Sequence, residues 1–315
     1  MKPIRSALAL MSMTALAATS WLAARDARAE APAVEEHRPA DLHGEIDITL
    51  LTGKIEVVGW EKPEIAVTGT LGSDAGKLDL AVSGSRARLR VITKGGAMDP
   101  VGAHWGLDGG LSGANLTVHV PSATTVSANL VSAALVIHDL TGEQDLRSVS
   151  GDVTTTVQRA AHVHTVSGSI DLTAGAESTL LELGSVSGTI HVTGGHGEVS
   201  VDTISGDGSF ALGVVNRASF KTVSGSDHIA MGLGVDGKLE AESISGDISV
   251  DFVGAVPAAQ FHLESFSGDL KSCFGPKESH EEYGPGSRLE YTQGAGTGRV
   301  HIVSKSGDIH LCTKR

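Results

Sequence analysis

An all-β fold, and within that class a β-solenoid of two-strand coils about 20 residues long, follows from three observations. A Ser-Gly signature recurs along the C-terminal half, as "SVSGDV", "TVSGSI", "SVSGTI", "TISGDG", "TVSGSD", "SISGDI", "SFSGDL" and "SKSGDI". Aliphatic and polar residues alternate with period two around most copies. Glycine supplies 40 of 315 residues, whereas Phe, Tyr and Trp together supply 11 (6 + 2 + 3), a mixture suited to short strands and tight turns.

The chain begins outside that fold. Lys2 and Arg5 precede the apolar run "ALALMSMTALAATSWLAA", and "ARA" at residues 27–29 offers small residues for cleavage before Glu30. Residues 1–29 therefore read as a signal peptide, the chain is expected to be exported, and no later segment is apolar for long enough to span a bilayer. The chain carries a net charge of −13. Removal of four basic residues and one acidic residue leaves 20 Lys and Arg against 36 Asp and Glu, a net charge of −16. No basic cluster is left to neutralise phosphates, so nucleic acid is not an expected partner, and the charge favours a soluble monomer.

Residues 30–42 read as a disordered leader. Residues 43–130 read as the β-rich start of the solenoid, with "HGEIDITLLTGKIEVVGW", "KLDLAVSGSRARLRVITK" and "NLTVHVPSATTVSANL" as strand-forming stretches. Between the last two, "GGAMDPVGAHWGLDGGLSG" reads as a glycine-rich loop.

Residues 131–315 form the repeat array. The signature glycines Gly151, Gly168, Gly188, Gly206, Gly225, Gly246 and Gly268 are separated by 17, 20, 18, 19, 21 and 22 residues, and Gly307 closes the series. A degenerate earlier copy has Ala133 in the glycine position. Two residues after the glycine stand Val153, Ile170, Ile190, Ile248, Leu270 and Ile309, and alternation marks a strand with one buried face. Seven and five residues before it, pairs such as Leu181 and Leu183, or Val300 and Ile302, mark a second strand. One such unit cannot bury its apolar face alone, so the units must stack. Glycine is then required where a Cβ would crowd the next rung, with Ser and Asp bonding nearby amides. A propeller needs periods of roughly 40 residues and does not fit.

Two columns next to the glycine conflict. Ser148, Thr165, Ser185, Thr203, Thr222, Ser243, Ser265 and Ser304 lie three residues before it, and Val149, Val166, Val186, Ile204, Val223, Ile244 and Phe266 lie two before it. One straight strand cannot bury both. A corner turning both inward is the expected resolution; otherwise the Val/Ile column becomes an exposed apolar stripe and a binding surface.

Cys273 and Cys312 each lie five residues after a signature glycine, so equal positions in adjacent coils predict a disulfide. The 39-residue interval between Gly268 and Gly307 holds either a loop insertion near 275–298 or an unrecognised coil, which would set the sulfurs ~10 Å apart and forbid the bond; "FGPKESHEEYGPGSR", rich in Pro, Gly and charge, favours the loop.

The signal peptide, the early "TGKIEVVGW", the "LTVHVPSATTV" entry and the serial "VSGD" units together resemble a bacterial β-strand-repeat family labelled "putative adhesin", a domain of unknown function. The resemblance implies an exported, solenoid-like envelope protein and carries over no catalytic residue.

Sites of chemistry are not expected. Among 14 His, His162 and His164 form an H-x-H pair and His280 adjoins Glu281 and Glu282, but zinc needs three or four converging ligands. Asp152, Asp207, Asp247, Asp269 and Asp308 share a column interrupted by Ser169, Thr189 and Ser226, and read as turn residues rather than a calcium ladder. No cofactor, metal or catalytic residue is assigned. The expected function is a non-catalytic cell-envelope module, adhesin-like or structural, that contacts an envelope protein or polysaccharide through an extended solenoid face. The alternatives are a carbohydrate-active enzyme with carboxylates on one face and an envelope-stress regulatory protein; a deep acidic groove would favour the enzyme.

Overall fold

The computed structural model describes residues 33–72, 75–93, 113–277, 279–280 and 286–314. The expected signal peptide, nearly all of the glycine-rich stretch before Ala114, and the pair Glu281 and Glu282 lie outside the described residues. Every regular element among the described residues is a β-strand, and the strands join in one 23-stranded, solenoid-like sheet. The N-terminal strands are β1 (Ala33–Pro39), β2 (Glu45–Trp60), β3 (Glu64–Thr70), β4 (Ala75–Ser83), β5 (Arg86–Thr93), β6 (Ala114–Pro121) and β7 (Thr125–His138). The repeat region opens with β8 (Gln144–Ser148), β9 (Val153–Val157), β10 (Ala160–Thr165), β11 (Ile170–Ala174), β12 (Leu180–Ser185), β13 (Ile190–Gly194) and β14 (Gly197–Ser205). The long strands β15 (Gly208–Ser224) and β16 (Asp227–Ser243) follow. The chain ends with β17 (Ile248–Val253), β18 (Ala259–Ser265), β19 (Leu270–Ser272), β20 (Ser279–His280), β21 (Ser287–Thr292), β22 (Gly298–Ser304) and β23 (Ile309–Lys314).

Like residues lie over like residues in two parallel ladders. In one, Leu146, Val163, Leu183 and Val201 stack through β8, β10, β12 and β14. In the other, Val153, Ile170 and Ile190 stack through β9, β11 and β13. All seven of these side chains are buried, and they belong to one core cluster running from Ile46 to Leu311. Each fully buried aliphatic contributes roughly 1.5–3 kcal/mol, most of it offset by the entropy of ordering the chain. β2 and β7 are long because they continue from one ladder into the other in a single register, whereas β15 and β16 cross between ladders through register shifts after Ala211 and Val215.

The ends are built differently from the middle. Residues 33–39, expected within a disordered leader, form β1, which pairs antiparallel with β3; Val34 packs on the core and supplies the apolar contact that orders it. β3 is antiparallel to β6, and β4 to β5, so the N-terminal segment is not a run of parallel coils. At the other end, the segment expected as a loop near 275–298 contains β20 and β21. β21 runs antiparallel to β18 and stacks Tyr291 on Phe261, with ring centroids 4.7 Å apart. These antiparallel strands cover ladder edges that would otherwise present unpaired amides.

The last repeat is out of sequence order. β22 pairs in parallel with both β16 and β18, and β23 with both β17 and β19. It therefore lies between two repeats that precede it in the chain. Cys273 and Cys312 occupy neighbouring rungs and form a disulfide with a Cα–Cα distance of 4.9 Å. The bond ties the repeat that is last in space to the repeat that is last in sequence.

Candidate binding face

Alternation decides the fate of the two conflicting columns. Along β12, Leu181 and Leu183 point inward, and Ser185 is the next inward residue; Val186 is then left pointing out. The same parity holds in each repeat. The Ser/Thr column is 0–5% exposed, while Val149, Val166, Val186, Ile204, Val223, Ile244 and Phe266 are 41–56% exposed. The corner expected to turn both columns inward does not form. The hydroxyl takes the inward place because it binds the turn: Gly151 N–H donates to Ser148 Oγ at 2.9 Å, and Ser148 Oγ–H donates to the Gly151 carbonyl at 2.7 Å. Thr165 and Ser185 are linked along the axis at 3.3 Å, and Thr203 and Thr222 at 2.9 Å.

The glycine column fixes how closely rungs approach. A Cβ on Gly188 would lie 2.0 Å from the Gly168 carbonyl oxygen, and one on Gly246 would lie 1.8 Å from that of Gly225. The same crowding holds for Gly151, Gly168, Gly206, Gly225, Gly268 and Gly307, each against the rung beneath it. The Asp column is occupied with backbone work. Asp152 Oδ1 accepts from Ser169 N–H, Asp247 Oδ1 from Asp308 N–H and Asp308 Oδ1 from Asp269 N–H, at 2.8–2.9 Å.

The outward column is continuous. Leu51 and Val131 extend it on β2 and β7, both more than 40% exposed. Backbone bonds tie its rungs directly: Ser150 N–H donates to the Val131 carbonyl, Ser167 to Val149, Ser187 to Val166, Ser205 to Val186 and Ser245 to Val223. Beyond Ile244 the next rung is Lys305, and Phe266 lies beyond that. Beside the ladder runs a groove of about 1120 Å³, floored by Leu130 and the Ser/Thr column. Its far wall is polar and mixed in sign: Arg147, His164, Asp202, Lys221 and Glu242. The groove is thus hydroxyl-lined at its floor, aliphatic on its near wall and mixed in charge on its far wall, not acidic.

Two departures within the core were not read from the sequence. Gly208 and Asp227 occupy the inward column held elsewhere by Val, Ile or Leu. A Cβ on Gly208 would lie 2.3 Å from Asp227 Oδ1 and 2.4 Å from the Phe210 ring, so glycine makes room for both. Asp227 is buried and accepts from Thr222 Oγ1–H; burial pushes its carboxyl up to about 6, and the Asp207 charge adds to the rise. The signal available was the break in the aliphatic column.

The His pairs do not converge on a metal site. His162 Nδ1 lies 2.7 Å from Glu182 on the next rung, and His164 stands on the groove wall. His262 stacks on His301 at 4.8 Å and meets Glu290 at 2.6 Å; Arg288, then His262, holds the Glu290 carboxyl below its ordinary range. No group of three or more His, Cys, Asp or Glu side chains among the described residues is placed to hold a metal ion. No described helix is long and apolar enough to cross a membrane.

The family model described as Toastrack DUF4097 matches residues 117–312. No curated protein matches the chain. A crystal structure described as "a putative cell adhesion protein" from Clostridium sporogenes ATCC 15579 is 8% identical over 90% of this chain and 100% of its own, with a TM-score of 0.27. Another, described as "a putative adhesin" from Bacteroides fragilis NCTC 9343, is 11% identical over 90% of this chain and 97% of its own, with a TM-score of 0.38.

Proposed function

The chain belongs to the Toastrack DUF4097 family, and from that premise we propose that it is a non-catalytic, exported cell-envelope module, adhesin-like or structural, working through one extended face of a β-solenoid. In this reading each repeat is one two-strand coil, a view supported by the two parallel ladders in register. The observation that carries the functional reading is the uninterrupted column of exposed aliphatics from Leu51 to Ile244. Side chains that contribute nothing to the core but recur on every rung mark an interaction surface. Export is supported by the basic start, apolar run and "ARA" of residues 1–29, and by a disulfide, which persists in oxidising compartments. A groove with one aliphatic wall and a far wall of alternating charge speaks against the carbohydrate-active alternative, which calls for paired carboxylates around an open cleft.

Affinity capture from envelope extracts, run beside a glycan array, tests this reading. The wild-type chain retains a specific protein or glycan, and V166E and I204E, which place charge on the ladder, lose it. Hydrolysis of any arrayed glycan would overturn the non-catalytic reading, and capture indifferent to both substitutions would remove the ladder from it.

A further inference from the structure

The ladder restricts what can lie on it, an inference resting on the reading of this face as the working surface. Its side chains recur once per rung, about 4.8 Å apart along a line. An extended peptide laid along the groove presents a side chain to one face only every ~6.8 Å, two residues of about 3.4 Å each, and falls out of step within a few rungs. A second copy of this chain has the same spacing and stays in step throughout. We propose that the ladder is a homodimer interface, in which two copies meet face to face with their ladders antiparallel about a two-fold axis.

The polar wall sets direction and register. Arg147, His164, Gly184 and Asp202 occupy successive rungs on the same side of the ladder. A two-fold axis between the rungs of Val166 and Val186 brings Arg147 of each copy opposite Asp202 of the other. The same axis sets Val149 against Ile204, Val131 against Val223 and Leu51 against Ile244, using every rung of the aliphatic run. On the wall, Lys221 meets Asn129 and Glu242 meets Thr49, so no like charges are opposed. Lys305 occupies the rung after Ile244 and falls just outside the overlap, in water. With the ladders parallel, the wall of one copy faces the exposed residues that follow the ladder, Ser150, Ser167, Ser187, Ser205 and Ser245, of the other and these charge pairs do not form. A two-fold interface must be self-complementary in this way.

Sedimentation velocity of the full chain, from micromolar to near-millimolar concentration, tests the proposal. The wild type reaches the mass of two copies. V186E, at an exposed position, returns to the mass of one copy with an unchanged far-ultraviolet spectrum and, at concentrations where the wild type is also a single copy, an unchanged melting temperature. R147D, which sets Asp against Asp202, weakens association about tenfold, and R147D/D202R restores it. A wild type with the mass of one copy throughout, or a double swap that fails to restore association, overturns the proposal. If that single-copy chain still captures an envelope partner that V186E loses, the second copy is wrong while the ladder remains the working face. If V186E changes neither mass nor capture, both fall.

Discussion

Gly188 lies where a methyl group has no room. Its Cβ would sit 2.0 Å from a backbone carbonyl on the rung beneath, and backbone cannot swing aside as a long side chain can. Gly188→Ala is therefore expected to cost about 2 kcal/mol or more, while Val186→Ala, two residues away and exposed, stays within about 0.5 kcal/mol. Chemical denaturation of the two variants checks the contrast; equal effects would mean the glycine is not a close-contact position. Asp227 makes a different claim. Its native carboxyl titrates near 6 against an ordinary 3.8, so between those values the folded chain holds a proton that the unfolded chain releases. Stability consequently falls as pH rises through that window and levels off above it, by about 3 kcal/mol. Asp227→Asn keeps an acceptor for Thr222, removes the slope and raises stability at neutral pH. Denaturation midpoints measured from pH 4 to pH 8 test this, and a variant with the wild-type slope would place the titration elsewhere.

Among the elements, what repeats was legible and what terminates was not. The inward positions of β9, β11, β13, β17, β19 and β23 follow from alternation after the signature glycine, and all six lead residues, from Val153 to Ile309, are buried. The ladder at Val186 was harder. Composition favours burying Val before Ser, but strand parity and the hydroxyl's bonds to the glycine turn prevail, so the less hydrophobic column goes in. β1 and β3 carry no repeat signature, and the "AVSGSR" at the end of β4 makes the turn of the antiparallel β4–β5 hairpin instead of a parallel coil, so the antiparallel pairing of these strands answers to the need to cover an edge rather than to the repeat pattern. The placement of β22 and β23 between earlier repeats leaves no trace in a one-dimensional period, since either neighbour offers the same columns. The disulfide bears on that arrangement. Closing a 39-residue separation constrains the unfolded chain by about 4 kcal/mol on the chain-entropy estimate. Reduction, or C273S/C312S, is expected to lower the melting temperature with loss of protection beginning at β18 and β19. An unchanged melting temperature would contradict it.

Across the whole molecule, ten rungs from Leu51 to Phe266 stand on one axis, and their order in space differs from their order in the chain. That stacking holds the core shut, aligns the exposed ladder and sets its charge order, so it underlies the functional reading and the pairing of two copies alike. Pulsed electron-electron spin resonance tests it most directly, with one spin label at Val131 and the other at Val186, Val223, Ile244, Lys305 or Phe266, diluted with unlabelled chain. At about 4.8 Å per rung the distances should rise as roughly 14, 24, 29, 34 and 38 Å, with Lys305 nearer than Phe266 although it follows it in sequence. Distances that follow sequence order, with Phe266 nearer than Lys305, or that do not grow with rung number, would contradict the account.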